Sequence, residues 1–226
     1  MDGVFETFPP EVTPLNSITF PGFGQADFEA MRAEGLEGRM NAIIGTVRPK
    51  LEAAGRDLAP VLSRLSGETM TPHVAKHARR SVNPPADTWV AWSRNPRGYK
   101  MHPHFQVGIW PTHVFVQFAI IYECPDKGIF AENALREMAS VRQTVPGFFV
   151  WSKDHMVPEG TRHDGLTDDE LAEWLRRLKT VKAAEITCGI HLLRDDPVLA
   201  SGGKFLRKAE ETFQTLLPLY RMAGGV

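Results

Sequence analysis

The chain has 226 residues, 42% of them hydrophobic and 23% charged, with a formal net charge of −1. Length and apolar content suit a globular protein with a substantial core and exclude a chain that is disordered throughout. The near-neutral balance excludes a nucleic-acid coat protein that is basic over most of its surface, so any such role has to be local.

The first residues, MDGVFETFPPEVTPLNS, carry acids and prolines where a secretory leader needs a positive flank and an apolar block. They read as an N-terminal extension, 1–17, on a single domain over 18–223. Met40, Ile43, Ile44, Val47, Leu51 and Ala54 recur at three- and four-residue intervals and mark one helix face, with Pro49 expected to kink or divide it. Leu58, Val61, Leu62 and Leu65 predict a second short helix, ended by Gly67. Thr71 and Pro72 read as the N-cap and first residue of a short helix over 73–80, which Asn83, Pro84 and Pro85 stop.

From Thr88 the pattern changes to strand. TWVAWS, YKMHPHFQVGIW and HVFVQFAIIYE, separated by turns at 94–98 and 110–112, predict three consecutive antiparallel strands. Phe130, Ala134, Met138, Val141 and Val145 then form one helical stripe, and PGFFVWS a strand. Leu171, Trp174, Leu175 and Leu178 form a further helix, opened by a capping box of Thr167 with Glu170. AAEITCGIHLL predicts the last strand, and Leu206, Ala209, Phe213, Leu216, Leu217 and Tyr220 the terminal helix. The expected fold class is α+β, one domain with a largely antiparallel sheet packed against several helices. Cys124 and Cys188 lie far apart with no Cys-x-x-Cys spacing and are expected to be reduced core thiols of a cytoplasmic protein. The longest apolar run, 114–122, is interrupted by Gln117 and falls short of the roughly 20 residues that cross a bilayer, so no membrane partner is expected.

Residues 73–122 hold six Lys and Arg, five of the eight His and three of the five Trp, but a single acid, Asp87. A local balance of +5 in a chain of −1 points to an anionic partner. On a helix, Lys76 would lie beside Arg79 and Arg80, and three crowded cations call for a phosphate or carboxylate unless the fold supplies acids. Arg94, Arg97 and Lys100 surround a turn from which they would reach a phosphate backbone, with Tyr99 and nearby tryptophans to stack on bases. His102 and His104 leave one face of a strand, and His73 and His77 one face of a helix, spacings that metal sites use. Neither pair has an adjacent carboxylate, and Val74 stands where a zinc-protease motif needs glutamate, so no metal is assigned. Asp154, His155 and His191 are acid–base candidates because histidine titrates near neutral pH. The sequence has no nucleophile elbow, phosphate-cradling glycine loop or dinucleotide fingerprint, and no cofactor is expected.

The leading expectation is a site for a small anionic ligand, with phosphate-bearing molecules among the candidates, built from Lys76, Arg79, Arg80, Arg94, Arg97, Lys100, His102 and His104. Nucleic-acid binding through the same residues is the alternative, a His-dependent metal hydrolase another, and an interaction module without a small-molecule site the plainest.

The segments HVAKHARRSVNPP, DTWVAWS, RGYKMHPHFQVGIW, THVFVQFAIIYE, FVWSKDH and EITCGIH, in this order, resemble the YktB-like bacterial family of unknown function, uncharacterised protein family 0637 or domain of unknown function 1054. The resemblance runs from about Phe28, through GLEGRMNAIIGTVRPKL, to LLPLYRMA near the C-terminus. It implies a compact α+β domain of a bacterial cytoplasm and carries over no catalytic residue. The residues up to about Ser17 depart from the pattern.

Overall fold

The computed structural model describes residues 18–224, so the expected extension over 1–17 lies outside the described residues. Helix α1 spans Gln25–Ala30, α2 Leu36–Ala42 and α3 Arg48–Ser66. Between α2 and α3 the ladder widens into a π-turn, Ile43–Val47. Pro49 follows it at once, and its missing N–H cannot close an ordinary turn onto the Gly45 carbonyl. From there α3 runs unbroken to Ser66, so the second short helix expected over 58–65 is part of it, and Gly67 at φ 78° ends it with its N–H donating to Ser63 O.

The strands are β1 Thr71–Val74, β2 Thr88–Ser93, β3 His104–Ile109, β4 His113–Ile120, β5 Val150–Ser152, β6 Thr161–Arg162 and β7 Ile186–Leu193. Helices α4 Lys127–Arg136 and α5 Met138–Thr144 follow β4, α6 Asp168–Thr180 precedes β7, and α7 Gly202–Met222 ends the domain. The seven strands form one sheet in the order β1-β2-β3-β4-β7-β5-β6, each pair antiparallel. The α+β class and the β2-β3-β4 meander are as the sequence predicts.

Two segments differ. Residues 73–80 form no helix: 71–74 are an edge strand, and the chain then loops outward through His77 at φ 52°. Pro72 mimics a first helical residue, but here its missing donor falls at a sheet edge, where proline is tolerated. The stripe over 130–145 is divided into α4 and α5 by Glu137, whose φ of −108° and ψ of 28° leave the helical region. The capping box of α6 forms as expected, with Glu170 N donating to Thr167 Oγ1 at 3.2 Å and Thr167 N to Glu170 Oε2 at 2.8 Å.

One sheet face packs against α3 and α7. Alternate residues of every central strand point there, including Val90 and Trp92, Phe105 and Val107, Val116 and Phe118, Cys188 and Ile190, all buried. The Phe105 ring lies 5.0 Å from Phe213, 5.2 Å from Tyr220 and 6.1 Å from Phe118, between sheet and helix. Trp92 Nε1 donates to Gly55 O at 3.0 Å, so its one polar atom is satisfied in the core. Burying each such side chain contributes about 1.5–3 kcal/mol, which makes this face the source of most stability. Cys124 and Cys188 are free, buried thiols. No helix among the described residues is long and apolar enough to cross a membrane.

The opposite face carries the other half of the alternation: His104, Gln106 and Gly108 on β3, His113, Phe115 and Gln117 on β4, Thr187, Gly189 and His191 on β7. It carries no helix layer of its own over these residues; loops 75–87, 94–103 and 153–160 lie against it. Gly108 faces Phe115 across the β3–β4 pair, and a Cβ there would meet the Phe115 ring and Thr88 O at 2.8 Å. The ring therefore lies down over the glycine. At Gly189 it is the strand β4 itself that comes close, with the Val116 carbonyl oxygen and Gln117 Cα and Cβ lying where a Cβ would sit.

Candidate functional site

A cleft opens on the loop-covered face, enclosing about 400 Å³ including its solvent-open mouth. Trp89, Trp110 and Phe115 give it aromatic walls, Gln106, Gln117 and Thr187 a polar floor, and Asp87, Asp154, His155, Glu159 and His191 its titratable groups. Its closed part is narrow, sized for a small group or a few waters.

The floor is an oriented hydrogen-bond chain. His104 Nδ1 donates to His102 O at 2.7 Å, which leaves its Nε2 to accept from Gln106 Nε2 at 3.0 Å. Gln106 Oε1 then accepts from Gln117 Nε2 at 2.8 Å. Each link fixes the next amide, so the chain delivers Gln117 to the cleft in one orientation. The chain needs a neutral His104, and burial lowers its pKa to about 4 despite the opposing hydrogen bond to His102 O. Because the folded pKa lies below that of the unfolded chain, this stabilisation is complete above pH 6.5 and is lost as pH falls toward 4. Urea unfolding of the wild type between pH 7 and 4.5 is expected to show a loss on the order of 2–3 kcal/mol that His104→Gln lacks. Equal pH slopes for the two proteins would contradict the assignment.

Asp87, just before β2, is 4% exposed, lines the cleft and has no ion-pair partner among the described residues. Burial raises its pKa to about 7, against the pull of the His155 and Arg80 charges. Opposite it, pairing of Ser152 with Thr187 brings the residues after β5 beside those before β7. There His155 Nδ1 lies 2.6 Å from Glu185 Oε1, and the His155 backbone N–H donates to the same oxygen at 2.8 Å. Burial disfavours the imidazolium, but the Glu185 hydrogen bond and charge, with Asp87 and Asp154, prevail and raise its pKa. Glu185 is only 7% exposed, and its Oε2 is buried without a hydrogen-bond partner. Against the burial that opposes ionisation, its bonds to His155 keep its pKa below the usual glutamate value. His191 stacks on His113 with centroids 4.0 Å apart, and burial lowers its pKa to about 4.

The residues of the cationic block have different surroundings. Arg94 turns toward the ends of α3 and α7, pairing with Glu68 at 3.4 Å and Asp126 at 3.9 Å. Lys100 pairs with Glu123 at 3.4 Å. His102 Nε2 accepts from Asn95 Nδ2 at 3.0 Å, and His104 is built into the cleft floor. Lys76 and Arg79 are exposed on loop 75–87, Arg97 is exposed at the tip of 94–103, and Arg80 is half-buried beside Asp87. These four make no ion pair among the described residues. The histidine pairs considered for a metal are tied up as well: His73 Nε2 donates to Asn95 O at 3.0 Å, and His77 Nε2 lies 3.1 Å from Thr88 Oγ1.

Asp154, His155 and His191, the acid–base candidates of the sequence, do meet in the cleft. Glu185, Gln106 and Gln117 carry no motif of their own. Their only trace is the break that each polar residue makes in an otherwise apolar strand, and Asp87 shows itself only as the lone acid of a basic block.

Fold and cleft together define a single-domain α+β protein with a small polar site on the loop-covered face of an antiparallel sheet. Residues 23–220 match the sequence model of the family described as "Domain of unknown function (DUF1054)". Proteins named UPF0637 from Bacillus thuringiensis (strain Al Hakam), Bacillus cereus (strain AH820) and Bacillus anthracis are each 47% identical over 207 residues, covering 92% of this chain and 100% of the relative. The chain belongs to this family, UPF0637 or DUF1054.

Proposed function

We propose that the protein binds a small polar molecule in this cleft and exchanges a proton with it through Asp87. The observation that carries the reading is a carboxyl 4% exposed, without an ion-pair partner among the described residues, lining a cleft whose floor is an oriented amide chain. A buried acid kept from full ionisation at neutral pH costs stability, and such groups concentrate at functional sites. Aromatic walls suit the apolar face of a ring or short chain, while the amides of Gln106 and Gln117 set its orientation. Asp87, Asp154 and Glu159 give the walls acidic character, which favours a neutral or cationic ligand rich in hydrogen-bond donors over a phosphate.

A thermal-shift screen tests this, since a ligand of the folded state raises its midpoint. Neutral and cationic donor-rich compounds are expected to shift the wild type, and to shift Asp87→Asn much less from its own baseline. A second reading, an anion site, rests on Lys76, Arg79 and Arg80, which lack carboxylate partners among the described residues. It prevails if only phosphate-bearing compounds produce shifts and Arg79→Ala with Arg80→Ala abolishes them. Nucleic-acid binding through the same residues requires an affinity that falls steeply as salt rises.

A further inference from the structure

We infer that Asp154, His155 and Glu185 hold a divalent transition-metal ion in the wall of the cleft. This rests on the reading of the cleft as a ligand site and supplies it with a cofactor. Among the described residues these three form a group whose ligand atoms all lie within 4.8 Å of one another. Two paired strands position them: Asp154 and His155 follow β5, Glu185 immediately precedes β7, and the Ser152 and Thr187 pairing locks the two ends together.

A second observation concerns Glu185 itself. Its side chain is 6% exposed, Oε1 is engaged by His155, and Oε2 is buried with no hydrogen-bond partner. A buried carboxylate oxygen left unpaired destabilises the fold, a cost that a bound cation removes. The 2.6 Å contact between His155 Nδ1 and Glu185 Oε1 already sets two ligands side by side, and a metal takes the place of the proton between them. Asp154 has one oxygen held by Met156 N–H at 2.8 Å, which fixes the carboxylate and leaves its other oxygen to coordinate.

One imidazole nitrogen with two carboxylates suits Mn²⁺, Fe²⁺ or Zn²⁺ better than the all-oxygen preference of Ca²⁺ or Mg²⁺. Three protein ligands leave coordination positions open, the pattern of sites that bind a water or substrate as well as the ion. Asp154 and His155 line the same cleft as Asp87 and Thr187.

The test uses full-length protein without a His tag, stripped with chelator and titrated calorimetrically with Mn²⁺ and with Zn²⁺, followed by desalting and elemental analysis. One ion per chain is expected, with affinity reduced at least about tenfold in both Asp154→Asn and Glu185→Gln. Asp154 is exposed, so its variant decides the matter if Glu185→Gln fails to fold. Absence of saturable one-to-one binding, or wild-type affinity in folded Asp154→Asn, overturns the inference. Ligand shifts that persist in a protein unable to bind metal would sink the metal site alone, whereas metal binding without any ligand of the cleft would sink the parent reading.

Discussion

Asp87→Asn is expected to be more stable than the wild type at pH 8, and to lose binding in the cleft. The native carboxyl has its pKa raised from 3.8 to about 7, chiefly by burial, so the folded state holds its proton where the unfolded chain has released it. The cost is absent below the unfolded pKa of 3.8, grows as pH rises through the interval to about 7, and is complete above it. Three pK steps correspond to an upper figure of about 4 kcal/mol, and relaxation around the charge leaves on the order of 2 kcal/mol. Asparagine keeps the shape without the charge. In chelator-treated protein, urea midpoints of the two should therefore diverge from pH 5 to 8 and converge near pH 4. A variant less stable than the wild type at pH 8 would mean that the ionised carboxylate has a compensating partner in the fold.

Gly189→Ala carries the largest expected loss of stability. The glycine lies in β7 between β4 and β5, opposite Gln117, and a Cβ there would fall on the Val116 carbonyl oxygen and 2.5 Å from Gln117 Cα and Cβ. Most of these atoms belong to the backbone of a central strand, which cannot move aside without breaking its ladder. Overpacking of this kind costs on the order of 3 kcal/mol. The damage also has a direction, since displacing Gln117 removes the last link of the chain that begins at His104. Denaturation should show the lost stability, and an Ala variant that unfolds like the wild type would show that β4 and β7 can separate locally.

The sheet was legible because its evidence is local. In β3 and β4 every second residue is a large apolar group, β2 places Val90 and Trp92 in the same alternation, and the turn residues at 94–98 and 110–112 separate the strands. Edge strand β1 was not, since Thr71 and Pro72 satisfy the rules for a helix start as well as those for a strand edge. Only the pairing of Pro72 with Trp92 decides between them. The candidate site was legible in part. His155 and His191 attract notice as titratable residues, but Asp87 lies far from both in sequence, Glu185 carries no motif, and strand order brings Glu185 to His155. Of the cationic block, the local sequence does not show that Arg94 and Lys100 have acidic partners, because Glu68 and Glu123 lie outside or at the limit of the segment.

The strand order that gathers the cleft has a separate consequence at the margins of the sheet. One margin, β6, is two residues long, and the other, β1, is four. In β1 the Ala75 N–H turns inward to Trp89 O, so by alternation the backbone nitrogen of residue 72 faces outward, and proline places no donor there. A neighbouring chain seeking to add a strand finds too little backbone on one side and a missing donor on the other. Among the described residues, the short margins and the missing donor are thus the features that hinder edge-to-edge strand addition.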